Sequence, residues 1–202
     1  MKKNFNFQTF VQDIKELNAS PTCRNILTGV FIRSLASCCI TAYMPVFFGN
    51  VFPGFKKEYA YISGLALSIF GFSSSILLGW ISDVFEKKSY MIKSLVIIMG
   101  NTLSIPLMAT IAFTQNFWLA ITCQALMPLV SAAYFGPGIT MMQNSTDSKK
   151  TGLILSTYNF YNMICHTIAP LAFTFLAGRF GAVANPRMYG YLILGFTTFG
   201  YG

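Results

Sequence analysis

The chain has 202 residues, of which 54% are hydrophobic and 16% aromatic, while only 10% are charged. Too few polar groups remain to cover a soluble globule, which places the chain in lipid. The net charge of +8 does not signal nucleic acid, because the cations are scattered over several loops with no basic stripe and no aromatic-interleaved patch.

Residues 1–24 form the most polar segment. Phe7, Phe10, Ile14 and Leu17 recur there at helical spacing, with Gln8, Gln12, Asp13, Lys15 and Glu16 between them. The pattern predicts either a short amphipathic helix on the membrane surface or a solvated arm. A cleavable signal peptide is not expected, since no apolar run follows Lys2 and Lys3 until after Arg24. Ser20-Pro21 breaks the pattern and lets the first span begin.

Residues 25–202 read as a transmembrane helical bundle, an all-α membrane protein. The spans fall at about 25–50, 59–82, 90–113, 117–143 and 151–178, with a last, incomplete one at 188–202. That final run is ~22 Å long at 1.5 Å per residue, short of a ~30 Å hydrocarbon core, so the chain reads as a fragment.

Polar side chains inside the spans carry the functional information, because an unpaired polar group in hydrocarbon is costly. In the first span, Arg33 lies about eight residues in, and Ser37 and Thr41 continue its face at i+4 and i+8. This stripe would line a path, with Arg33 offering a forked donor to a phosphate or carboxylate; the plainer reading is that Arg33 snorkels to the headgroups. In the second span Gly71, Ser75 and Gly79 have the small-xxx-small spacing at which helices touch. The fourth span contributes Gln124, Pro128, Ser131 and Gly136-Pro137-Gly138.

The fifth span carries Asn159, Asn162 and His166, spaced three and four, beside Tyr158 and Tyr161. They read either as a polar wall against a substrate or as hydrogen bonds between helices. His166 is the sole histidine and either takes part in proton coupling or is a satisfied packing group. Pro106, Pro128, Pro137 and Pro170 would bend their helices.

Between the second and third spans stands Gly79-Trp80-Ile81-Ser82-Asp83-Val84-Phe85-Glu86-Lys87-Lys88, a tight charged turn. Gly79, Asp83, Lys87 and Lys88 resemble the signature of the major facilitator superfamily, which sits in the cytoplasmic loop between helices 2 and 3 of a six-helix half. The superfamily pattern has a basic residue at the position of Val84 and a glycine at that of Glu86. The resemblance implies a transporter with two six-helix halves, of which this chain would hold one with five full spans and a truncated sixth. Gly79, Asp83, Lys87 and Lys88 would then form a gating element. In many first halves the fourth helix carries an arginine near the position of Gln124; its absence implies either a second half, which the amphipathic lead-in also resembles, or a transporter without proton coupling by the usual route. Tyr43-Met44-Pro45 and the Tyr134–Gly138 segment are similar to the spinster-like and organophosphate branches, whose substrates include lysolipids and phosphorylated metabolites.

Orientation follows from the cations. Lys2, Lys3, Lys15, Arg24, Lys87, Lys88, Lys93, Lys149 and Lys150 fall on one side, and Lys56, Lys57, Arg179 and Arg187 on the other. The richer side is expected to be cytoplasmic, which places the N-terminal segment and the signature loop there.

No enzyme is expected. Cys23, Cys38, Cys39, Cys123 and Cys165 have no metal or redox spacing, and the chain lacks a phosphate-binding glycine loop, a nucleophile elbow and paired intramembrane carboxylates. No metal or cofactor is implied. The sequence reading is therefore a secondary active or facilitative transporter of a small organic solute, an anionic one where Arg33 binds it. The expected partners are the bilayer, the solute, and the missing six-helix half or a second copy, with no nucleic acid. The alternative is a non-transporting membrane scaffold or truncated gene product.

Overall fold

A computed structural model describes residues 20–74, 76, 77, 80, 84, 92–131, 135–144 and 151–202. Most of the polar N-terminal segment and Gly79, Asp83, Lys87 and Lys88 lie outside the described residues, as do Ser75 and Tyr134. Among the described residues every element is helical.

Helix α1, Pro21–Val51, opens on a proline that pre-sets the helical φ and has no N–H to leave unbonded. It ends where the Phe52 N–H bonds Phe48 O at 2.9 Å and Pro53 bars continuation. A 3₁₀ turn, Pro53–Phe55, leads into α2, Lys56–Ala66. Its axis continues as a π-helical turn at Leu67–Gly71. Helix α3 is Ile92–Phe113 and α4 is Phe117–Ser131. Asn116 caps α4, its Oδ1 accepting the Trp118 N–H at 2.9 Å. Helix α5 is Phe135–Asn144, α6 is Thr151–Arg179 and α7 is Arg187–Tyr201. After α6 the chain reverses at Gly181, whose φ of +65° suits a residue without Cβ. The Ala182 N–H returns to Ala177 O at 2.9 Å, a helix stop of the Schellman kind.

Pro21–Val51, Ser94–Phe113 and Gly152–Arg179 are long and apolar enough to cross a membrane, which fits a membrane protein. Sequence reasoning expects five full spans, and three meet both criteria among the described residues. The run expected over 59–82 changes from α to π geometry at Leu67–Gly71. Within the run expected over 117–143, Phe117–Ser131 and Phe135–Asn144 are helical, and residues 132–134 lie outside the described residues. Large apolar side chains such as Leu67, Phe72, Met99, Leu171, Phe175 and Phe199 are more than half exposed, as lipid-facing residues are.

Helix α1 is the axis of the bundle and packs chiefly against α7 and α6, while α3 packs against α4 and α7. Close approach of α7 depends on glycine. A Cβ on Gly200 would stand 2.5 Å from Ala36 Cβ and 3.1 Å from Ile32 O, and one on Gly190 would stand 2.7 Å from the Phe47 ring. Aromatic rings close one end of the bundle: Phe48 stacks on Tyr59 at 4.6 Å and Phe55 on Phe117 at 4.4 Å, joining α1, α2 and α4. Because lipid is as apolar as such a core, the gain comes from tight packing more than from exclusion of water.

Candidate functional site

The α1–α6 seam is a ladder of polar contacts. The Cys165 thiol donates to Phe31 O at 3.4 Å, and Ser34 Oγ donates to Asn162 Oδ1 at 2.7 Å. Cys39 Sγ lies 3.7 Å from Ala169 O. Tyr43 Oη donates to Pro170 O at 3.0 Å and stands 2.5 Å from Thr174 Oγ1. Its ring stacks on Phe173 at 3.9 Å.

This ladder divides the polar stripe expected on the fifth span. Asn162 faces α1, and its Nδ2 also donates to Tyr158 O at 3.0 Å. Asn159 and His166 are exposed on the outer side of α6. At ~100° per residue the three positions cover an arc of about 60°, and the edge of the helix contact runs through it.

The stripe expected on the first span divides as well. Arg33 is only 4% exposed. Its Nε donates to Asn101 Oδ1 on α3 at 3.0 Å, and its Nη2 donates to Ser131 O of α4. The guanidinium carbon lies 4.8 Å from the centroid of the Tyr201 ring on α7. One side chain from α1 thus ties three helices together through charge-assisted hydrogen bonds and a cation–π contact. Arg33 and Asn101 also line a cavity of about 460 Å³ with Ser94, Thr102 and Tyr201, whose remaining walls are largely apolar.

Ser37 and Thr41 open on a different cavity. It holds about 360 Å³ between α1, α2 and α4, and its lining includes Ser37, Thr41, Gln124, Tyr59 and Ser63. The Thr41 hydroxyl donates to Ser37 O at 2.9 Å. The amide oxygen of Gln124 is enclosed and accepts no hydrogen bond from the described residues. Met44, Met127, Ile40 and Leu67 supply the apolar walls, and the π-helical turn runs along one side. Gly71 in that turn faces Pro128 of α4, near the point where Ser74 Oγ donates to Pro128 O at 3.1 Å.

Ser37, Thr41 and Gln124 therefore meet in one cavity, Arg33 stands at its neighbour, and Asn162 is an interhelical link. The proposed gating residues Gly79, Asp83, Lys87 and Lys88 lie outside the described residues. Asn101 and Tyr201 escape the sequence reading. Asn101 is an amide inside an apolar run and satisfies the same criterion that singles out Gln124. Tyr201 gives no such signal, since its role depends on where α7 docks. No group of three or more metal-ligating side chains occurs among the described residues. The chain matches no protein-family model, no curated protein and no solved structure.

Proposed function

We propose that the chain is one helical half of a secondary active or facilitative transporter of the major facilitator kind, which moves a small organic solute by alternating access. The observation that carries this reading is the meeting of Ser37, Thr41 and Gln124, from two separate stretches of sequence, in one cavity of about 360 Å³ between three helices. Small-molecule sites run from about 300 to 1,000 Å³ and combine apolar walls with a few convergent polar groups, which describes this one.

Two further features support the reading. Asn159 and His166 are exposed on α6, and in a bilayer such groups need water or a protein partner. A second half or second copy on that face would supply it and enclose a path. The charged turn with Gly79, Asp83, Lys87 and Lys88 would act as the cytoplasmic gate, on the side that the positive-inside rule assigns to it.

Flux tests this function. Vesicles reconstituted with the protein are loaded with a mixture of small neutral and anionic metabolites, and retention is measured by mass spectrometry against protein-free vesicles. Transport requires at least one solute released by the wild-type protein and retained with Gln124→Leu. Identical release from both vesicle types contradicts it.

A further inference from the structure

We infer that the cavity shared by Ser37, Thr41 and Gln124 recognises an uncharged solute that donates hydrogen bonds, and that Arg33 is a brace behind its lining and not the group that binds solute. This rests on the transport reading for the site and names its substrate class.

None of the described lining residues carries a charge at neutral pH. The nearest cation on α1, Arg33, does not line this cavity. Two residues that do line it hold Arg33 from the other side: Ser131 through its carbonyl and Tyr201 beneath the guanidinium. Going from Arg33 to Thr41 turns the helix face by ~80° and advances it ~12 Å, which carries the stripe from one cavity to the other.

The positive signal is Gln124. An enclosed acceptor with no donor is destabilising, and a donor brought into the cavity relieves that after a small rotation of the amide. A phosphate or carboxylate oxygen at the Gln124 carbonyl would instead set lone pair against lone pair, with no cation among the described lining residues to compensate. The Ser37 hydroxyl and the Tyr59 hydroxyl can accept or donate, so a polyol or nucleoside finds partners on both sides of the cavity. Met44, Met127, Ile40 and Leu67 cover its apolar faces.

The experiment uses the full chain in lipid nanodiscs, with its buried native cysteines replaced by alanine and a thiol introduced by Ser37→Cys. The rate of thiol modification is measured with matched probes present: glucose against glucose 6-phosphate, myo-inositol against its monophosphate, uridine against uridine monophosphate. Protection by a neutral member at concentrations at which its phosphate gives none is the expected result. Gln124→Leu should raise the concentration needed by about tenfold to a hundredfold. Protection by the phosphorylated members, or by no probe, overturns the assignment.

A second measurement needs no ligand. A neutral and an anionic methanethiosulfonate of similar size are compared on the same thiol, relative to their rates with a free thiol in solution. An uncharged cavity leaves the anionic reagent with no advantage. A relative acceleration of the anion of threefold or more overturns the inference by placing a positive potential in the cavity. Neutral protection in a protein that shows no flux would leave this assignment standing and remove the transport reading; flux of anions alone would do the reverse.

Discussion

Asn101→Leu probes the Arg33 brace directly. The substitution removes the acceptor that holds Arg33 Nε at 3.0 Å and leaves a charged N–H buried in a side chain that is only 4% exposed. A hydrogen bond to a charged group contributes about 1.5–3 kcal/mol, and a buried charged donor left unpaired loses at least that much. The single variant is therefore expected to lose about 2–3 kcal/mol of unfolding free energy. Arg33→Met keeps much of the side-chain volume and strands Asn101 Oδ1 and Ser131 O, but it also removes the desolvation cost of a buried cation. Its net loss should be smaller, about 1–2 kcal/mol. In the double variant Asn101→Leu adds almost nothing to Arg33→Met, since the guanidinium that needed the Asn101 acceptor is already gone. The double-mutant cycle should then give a coupling of about 2 kcal/mol between the two sites, well above the few tenths typical of independent positions. Reversible unfolding in mixed micelles, followed by tryptophan fluorescence, measures all four corners. Wild-type stability in Asn101→Leu, or additive losses in the double variant, would refute the brace.

Other positions follow from the same packing. Gly200→Ala places a methyl 2.5 Å from Ala36 Cβ and against the Ile32 carbonyl, so α7 must shift; a loss of about 1–3 kcal/mol is expected in the same unfolding assay. Asn162→Leu removes the acceptor of Ser34 Oγ, and interhelical hydrogen bonds in membranes average about 0.6 and reach about 1.7 kcal/mol. A loss within that range is expected, with no effect on modification of a thiol placed by Thr41→Cys. Tyr43→Phe keeps the stacking on Phe173 and loses the hydrogen bonds to Pro170 and Thr174, so unfolding should shift by about 1 kcal/mol or less.

Helical structure was legible because long uncharged runs end at clustered charges and prolines. The first span read over 25–50 corresponds to a helix at Pro21–Val51, and the last over 188–202 to one at Arg187–Tyr201. Periodicity speaks only for a helix by itself. It placed Asn159, Asn162 and His166 on one face, but which part of that face α1 covers depends on a seam set by Cys165, Ala169 and Phe173, residues with no polar signal. The partners of Arg33 are out of reach for the same reason: Asn101 is 68 residues away and Ser131 is 98. The π-helical turn at Leu67–Gly71 gave no sequence signal, since Leu-Ser-Ile-Phe-Gly suits an ordinary membrane helix equally well.

The central claim is that the cavity holding Ser37, Thr41 and Gln124 opens alternately to the two sides of a membrane. Its most direct test is two-sided accessibility. A thiol introduced by Thr41→Cys, in a background with the buried native cysteines replaced, is exposed to a membrane-impermeant reagent from each side of sealed vesicles in turn. Alternating access requires modification from both sides, with reagent on either side eventually labelling the whole population. Modification from one side alone, or from neither, would contradict a transport path and leave a fixed pocket in a membrane scaffold.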